Sequence, residues 1–177
     1  MEQVGYDTYC KLLDEVVKEM QGVEVKQEKE VQIDIKLSSY IPENYIEDSA
    51  QKIEIYQDIA LCRSDKDIED VTDEIIDRYG TMPKEVENLL EIAKIKILAR
   101  QANVIKLVQK ESTVVFYLDK DNIQINETTI NGLIKKYGTM LKFSQGIEPY
   151  ITIKFGSKNE EEIIIKEIKE FLNTLSN

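Results

Sequence analysis

The hydrophobic positions of this chain follow two different periods. From residue 31 to residue 37, apolar residues alternate with polar ones, and a period of two predicts a strand. Between residues 49 and 103 the apolar residues recur every three or four positions, which predicts three successive helices. The second of these helices has an apolar stripe that consists of Ile68, Val71, Ile75 and Tyr79.

Capping residues, a glycine and a proline mark the ends of these helices. Asp48 stands at the start of the first helix, and Ser64 or Asp65 caps the second. Gly80 ends the second helix, because glycine adopts the backbone conformation that stops a helix at little cost. Pro83 suits the first turn of the third helix, where its missing N–H is not needed.

After about residue 103 the pattern changes to β-branched and aromatic runs. The runs at 104–108 and 114–118 are separated by a short turn and predict a hairpin. The runs at 141–143 and 150–155 predict a second hairpin. A helix over 127–137 is expected between the two hairpins.

Two further helices lie near the ends of the chain. The last one begins at a capping-box spacing over residues 159–162. The first one covers about 6–21 and ends at Gly22, and the charged residues 23–30 that follow read as a linker. The first helix is therefore expected to be detached from the rest.

Helices and strands are segregated along the chain, which predicts an α+β fold. We expect small antiparallel hairpins, or one small sheet, packed with about five helices. The predicted domain covers residues 31–177, with a helical half at about 43–103 and a β-rich half at about 104–177. Residues 1–22 and the linker at 23–30 precede this domain.

Charge is distributed unevenly over the chain, whose formal net charge is −11. Residues 43–92 contain 15 Asp or Glu against 5 Lys or Arg, whereas residues 93–155 contain 5 acids against 10 bases. No apolar run approaches the roughly 20 residues that span a bilayer, and the N-terminus does not have the pattern of an export signal. We therefore expect a cytoplasmic protein with reduced, buried thiols at Cys10 and Cys62.

The sequence contains few residues suited to catalysis. There is no histidine, so the commonest general base and zinc ligand are missing, and no phosphate-binding glycine motif is present. Three carboxylate pairs are spaced one helical turn apart and could hold a divalent cation; they are Glu69 with Asp73, Asp70 with Glu74, and Asp73 with Asp77. We favour a solvated helix face over a metal or catalytic role, and we expect no cofactor in this chain.

The acidic residues of the second helix lie away from its apolar stripe. Helical geometry places Asp70, Asp73, Glu74 and Asp77 on the outer side of this helix. Like charges at this spacing repel, and arginines of a partner would relieve the repulsion through charge-assisted hydrogen bonds. We therefore predict an acidic surface that binds a basic protein surface reversibly.

A stretch of mixed basic and aromatic residues lies within 94–120. Its members are Lys94, Lys96, Arg100, Lys106, Lys110, Phe116 and Tyr117. A nucleic-acid groove has this type of composition, with a higher density of charge. The favoured interpretation is that the aromatic side chains pack in the hairpin and that the lysines are solvated.

Four segments of the chain resemble the C-terminal domain of the bacterial transcription-repair coupling factor family. They are VGYDTYCKLL at 4–13, YIPENYI at 40–46, QKIEIY at 51–56 and DEIIDRYGTMPKE at 73–85. Their order and spacing also match the family, and the match is dense from about residue 4 to residue 108. Tyr79 is a mild departure, because phenylalanine is commoner at its position.

This resemblance implies a regulatory domain cut from an ATP-dependent DNA translocase. In the family, the domain folds back on a module that resembles UvrB and masks the surface that recruits UvrA, until the motor engages stalled RNA polymerase. Glu74 matches the glutamate of a family motif at this contact, and Asp70, Asp73 and Asp77 are added from helical geometry alone. The resemblance also implies that ATP, magnesium and double-stranded DNA bind the parent motor, and that residues 1–22 trail from it.

Three functional hypotheses follow from these observations. The leading one is a non-catalytic, autoinhibitory protein-interaction domain in transcription-coupled nucleotide excision repair. The alternative is a free-standing adaptor whose acidic surface binds a different basic protein. The third is a metal-dependent hydrolase that uses the paired carboxylates.

Overall fold

The computed structural model describes residues 30–123, 125–155 and 161–177. The described residues form five α-helices and a five-stranded sheet, which confirms the predicted α+β fold. The predicted helix at 6–21 and all but the last residue of the predicted linker lie outside these ranges. None of the described helices combines the length and the apolar character that a bilayer crossing requires.

The described chain divides into two compact units, of which unit 1 contains residue 30 and residues 38–94. Three helices occupy it: α1 at Ser49–Ala60, α2 at Asp65–Tyr79 and the first part of α3 at Lys84–Gln101. Their bounds agree with the predicted helices to within about two residues, because the polar, glycine and proline signals are local. The buried side chains of the unit come from all three helices and include Ile55, Ile59, Ile68, Ile75, Val86, Leu89 and Leu90.

The first two helices begin at side-chain caps. The Asp48 carboxylate accepts hydrogen bonds from the backbone N–H groups of Ala50 and Gln51, at 2.8 and 3.1 Å. Ser64 and Asp67 form a reciprocal capping box at the start of α2. Each cap satisfies N–H groups that have no partner inside the helix and contributes about 1 kcal/mol.

Unit 2 contains residues 31–37 and 95–177. Its strands are β1 (Gln32–Asp34), β2 (Val104–Lys110), β3 (Thr113–Leu118), β4 (Leu141–Ser144) and β5 (Tyr150–Lys154), in the spatial order β1-β2-β3-β5-β4. Helices α4 (Glu127–Tyr137) and α5 (Glu161–Ser176) complete the unit. Both predicted hairpins are present, and they are joined into one sheet by the pairing of β3 with β5.

One strand differs from the prediction in length and direction. The alternating pattern covers residues 31–37, but β1 has only three residues and pairs with β2 in parallel, so the sheet is mixed and not purely antiparallel. Beyond Asp34, the backbone N–H of Lys36 donates to the Gln109 side chain at 3.0 Å. A parallel pair needs a long connection between its strands, and the chain between β1 and β2 is long enough to provide it.

The core of unit 2 lies between one face of the sheet and the helices. Phe116 of β3 packs against Phe171 of α5 with ring centroids 4.3 Å apart, and Tyr137 of α4 meets the same phenylalanine edge-on at 5.8 Å. Ile151 and Ile153 of β5 belong to the same buried cluster. This face of the sheet is therefore covered by helices α4 and α5.

Two neighbouring isoleucines show which side of α2 faces the core. Ile75 is fully buried, whereas Ile76 is 46% exposed. We expect Ile75→Asp to lower the free energy of unfolding by at least about 3 kcal/mol, because it buries an unpaired charge. Ile76→Asp makes the same chemical change at the surface and should shift it by no more than about 0.5 kcal/mol. Urea denaturation of both variants measures the difference, and equal effects would contradict the observed rotation.

Candidate functional site

The four acidic residues predicted on α2 are all exposed. Asp70, Asp73, Glu74 and Asp77 lie on the solvent side of the helix, opposite the buried Ile75. The same helix carries Arg78 in its last turn, where a cation interacts favourably with the helix dipole. The structure therefore places these residues where a partner can reach them.

Packing of α1 against α2 brings two further carboxylates to Glu74. Glu54 and Asp58 of α1, together with Glu74, form an acidic cluster in which one oxygen from each residue lies within 4.8 Å of the others. Sequence reasoning missed Glu54 and Asp58, because they precede Glu74 by 20 and 16 positions and no local pattern joins them. Asp70, Asp73 and Asp77 are outside this cluster.

Arg78 brings a positive charge to the acidic cluster. Its Nη1 atom lies 3.3 Å from Glu74 Oε1 and 3.4 Å from Glu54 Oε1. The guanidinium carbon also lies 5.2 Å from the centre of the Tyr79 ring. Both salt bridges are long and partly exposed to solvent, and pairs of this kind contribute about 1 kcal/mol or less. An arginine from another protein surface could therefore replace Arg78 at little cost.

The pKa of Asp58 reflects the position of this residue in the acidic cluster. Partial burial, followed by repulsion from Glu74 and Glu54, raises the pKa of this carboxyl above its ordinary value, and Arg78 partly offsets the effect. Burial accounts for the largest part of this rise, and the remainder comes from the two neighbouring carboxylates, which repel the Asp58 charge even with Arg78 in place. A second cation brought by a partner would stabilise the ionised cluster.

The chemistry of the acidic cluster favours recognition over catalysis. Three carboxylates could supply oxygen ligands to a divalent cation, but the Arg78 guanidinium already interacts with two of them. Cys62 is the cysteine of unit 1 that the structure describes; it is buried, and burial followed by repulsion from Asp67 and Asp58 raises the pKa of its thiol to about 11. Such a thiol stays protonated near neutral pH and does not act as a nucleophile.

Hydrogen bonds connect the sequence motifs that surround the cluster. The Tyr45 hydroxyl donates to the carbonyl oxygen of Gly80 at 2.7 Å, and its ring lies 6.0 Å from that of Tyr79. The Tyr56 hydroxyl accepts from the backbone N–H of Ile41 at 2.9 Å. The segments at 40–46, 51–56 and 73–85 therefore hold one another in place and fix the end of α2.

Comparisons with known proteins agree on one family. The TRCF domain family matches residues 35–129. A transcription-repair-coupling factor of Bacillus subtilis is 32% identical over 165 residues, which are 92% of this chain and 14% of that protein. A transcription-repair-coupling factor of Staphylococcus haemolyticus is 37% identical over 112 residues, which are 62% of this chain and 10% of that protein. The chain thus spans only a small part of the length of these relatives.

A solved structure supports the fold assignment. The crystal structure of a C-terminal domain of transcription-repair coupling factor superposes with a TM-score of 0.72 and 22% sequence identity. The superposition covers 82% of this chain and 91% of the solved one. At this identity the likeness concerns the fold.

The raised pKa of Asp58 gives a prediction about stability and pH. The folded state holds the proton of this carboxyl more tightly than the unfolded state, so its ionisation destabilises the fold above the ordinary pKa of 3.8 and has no such effect well below it. We expect Asp58→Asn to raise the free energy of unfolding at about pH 7, and with it the melting temperature. The gain should be at most about 1 kcal/mol because the site is open to solvent, and it should vanish at about pH 3. Asp73→Asn, on α2 outside the acidic cluster, is the control. An equal gain from both variants would contradict this explanation.

Tyr79 has a buried hydroxyl that finds no hydrogen-bond partner in the described part of the chain. An unsatisfied buried polar group costs about 1–3 kcal/mol, so we expect Tyr79→Phe to raise the free energy of unfolding by about 1 kcal/mol. Tyr45→Phe is the matched control, because it loses the hydrogen bond to Gly80 and should lower stability by about 1 kcal/mol. Urea denaturation measures both, and a destabilised Tyr79→Phe variant would show that the hydroxyl has a partner.

Proposed function

The chain belongs to the TRCF domain family, and from this premise we propose that it is the C-terminal regulatory domain of a transcription-repair coupling factor. In this proposal the domain is non-catalytic and autoinhibitory. Its acidic surface binds the UvrB-like module of the same protein and masks the surface that recruits UvrA. The mask opens when the motor of the parent engages stalled RNA polymerase.

The position of Glu74 is the observation that carries this proposal. Glu74 lies at the helix end whose sequence matches the family motif, and its side chain remains 45% exposed beside Glu54 and Asp58. Partner arginines meeting these carboxylates would form charge-assisted and often bidentate hydrogen bonds. The proposed contact therefore consists of arginines on the UvrB-like module and the acidic cluster on this chain.

Arg78 makes such a contact reversible. In the unbound domain it interacts with Glu74 and Glu54, so the cluster does not face solvent as three uncompensated charges. Binding exchanges these exposed salt bridges for intermolecular ones, and the difference in free energy between the two arrangements is small. A small input of free energy from the motor is then enough to separate the domain from the UvrB-like module.

Asp70, Asp73 and Asp77 have a different role in the proposal. They extend the negative charge of α2 beyond the acidic cluster and attract the basic module from a distance. Charges of this kind mainly accelerate association, and their effect weakens with salt because the Debye length is about 8 Å at physiological ionic strength. Closure of the mask should therefore be fast at low salt and slower at high salt.

The remaining activities in this proposal belong to other parts of the parent protein. ATP and magnesium would bind its motor, and double-stranded DNA and RNA polymerase would be contacted by the parent as a whole. This chain would act on those activities only by controlling access to the UvrB-like module.

Reversal of the charge at Glu74 tests the proposal in the parent protein. Glu74→Arg leaves the fold intact because the side chain is exposed, and it places a second cation beside Arg78. We expect UvrA to bind the parent at least about tenfold more tightly, since loss of about 1.4 kcal/mol from the mask corresponds to that factor. Titration of UvrA into the parent, followed by anisotropy or calorimetry, measures the change.

Glu43→Arg is the matched control for this experiment. Glu43 is also exposed in unit 1, but it lies in the loop before α1 and outside the acidic cluster, and its replacement changes the net charge by the same amount. Its UvrA affinity should remain that of the unmodified parent. An unchanged affinity in Glu74→Arg, or an equal increase in both variants, would refute the assigned role of Glu74.

A further inference from the structure

The described helices of unit 2 pack on one face of its sheet, and the other face carries a row of exposed side chains. Side chains alternate between faces along each strand, and the strand register shows which of them share a face. Phe116, Ile151 and Ile153 point into the core with α5. The outer face therefore carries Lys106, Val108 and Lys110 of β2, Thr113, Val115 and Tyr117 of β3, Tyr150, Thr152 and Lys154 of β5, and Lys142 and Ser144 of β4. The two valines form a small apolar centre, in which Val115 is buried, and the polar and aromatic side chains surround it.

This outer face is positively charged although the chain as a whole is strongly negative. The four lysines are exposed, and none of them forms a salt bridge with a described carboxylate. Within the paired strands, Asp34 at the sheet edge is the acid that shares the face. Because the net charge of the chain is −11, this local concentration of lysine is not a consequence of composition. It complements a polyanion, such as a phosphate backbone.

Aromatic rings lie between the lysines. Tyr117 and Tyr150 are neighbours on β3 and β5, with ring centroids 5.7 Å apart. The Lys106 ammonium lies 5.6 Å from the centre of the Tyr117 ring, which is half-buried, and Tyr150 is 36% exposed. Exposed aromatic rings among cationic side chains are the arrangement on which proteins stack the bases of single strands.

We propose that the outer face of this sheet binds single-stranded RNA. Two bases stack on Tyr117 and Tyr150, and the lysines contact the adjoining phosphates. The hydroxyls of Thr152 and Ser144 are available to the ribose 2′-hydroxyl, which both donates and accepts hydrogen bonds. The distance from β2 to β4 is three strand spacings, about 14 Å, which fits the two or three bases that four-stranded sheets accommodate.

A duplex does not fit this surface as well. The bases of double-stranded RNA are stacked inside the helix and its major groove is too narrow for side chains, so the two tyrosines would have no bases to contact. The acidic surface of unit 1 repels phosphates and takes no part. The proposal is therefore independent of the regulatory function proposed above, and Glu74→Arg does not alter any residue on which it depends.

Fluorescence anisotropy with a labelled 12-nucleotide oligouridylate tests the proposal on the chain as it stands. Four lysine–phosphate contacts predict a slope of about −3 for the logarithm of the association constant against the logarithm of salt concentration. Lys106→Gln combined with Lys142→Gln should reduce this slope by roughly half. Tyr150→Ala should weaken binding about tenfold, whereas Tyr150→Phe keeps a stacking ring and should retain it.

Lys135→Gln is the control, because Lys135 is exposed on α4 and not on the outer face. It should leave both affinity and slope unchanged. If Tyr150→Ala fails to fold, the lysine variants still decide the test. They change only the exposed ends of side chains, so they should fold and their RNA affinity can be measured. Absence of binding at the lowest salt concentration, or equal losses in the Lys135 and outer-face variants, would overturn the proposal. Equal affinity for oligothymidylate, or displacement by duplex RNA at the same concentration, would overturn the assignment to single-stranded RNA.

Discussion

The packing of α1 against α2 is the constraint on which the acidic surface depends. The buried residues Ile55 and Ile59 of α1 and Ile68 and Ile75 of α2 fix the rotation of both helices. This rotation places Glu54 and Asp58 beside Glu74, and it lets Arg78 reach across from one helix to the other. The cluster therefore exists because apolar burial, which is worth a few kcal/mol per side chain, outweighs carboxylate repulsion in a site that water still reaches.

The sequence Tyr-Gly-Thr-Met occurs twice, and in both places it ends a helix. Gly80 and Gly138 both have a positive φ, of 85° and 55°, a conformation that glycine adopts without the strain of a side chain. Each of the preceding tyrosines, Tyr79 and Tyr137, also has a buried hydroxyl that finds no hydrogen-bond partner in the described chain. The repetition thus reflects a common way of stopping a helix, with a glycine directly after a tyrosine whose hydroxyl is buried. The surroundings differ, since Tyr79 lies beside Tyr45 and Tyr137 beside Phe171.

Segregation of charge gives the two units different surfaces. Unit 1 exposes carboxylates on a helical surface, whereas unit 2 exposes lysines and tyrosines on a sheet. In each unit the charged groups are mounted on a rigid element, so a partner meets side chains that are already held in position. Preorganisation of this kind reduces the entropic cost of binding, which favours both of the contacts proposed above.

The sequence by itself determined the five described helices, the strands of both hairpins and the caps at Asp48 and Ser64, because these features depend on periodicity and on local capping chemistry. In the predicted stripe of α2, Ile68 and Ile75 are buried, whereas Val71 and Tyr79 are half-buried. The sequence also determined that Asp70, Asp73, Glu74 and Asp77 would be exposed, since Ile75 fixes the direction of their helix. Only the tertiary structure decided that β1 would shorten and pair in parallel with β2. Only the tertiary structure, likewise, brought Glu54 and Asp58 to Glu74, or Tyr117 to Tyr150 on one open face. These contacts join residues that are distant in sequence, and the packing energy that selects them has no signature in any single segment of the chain.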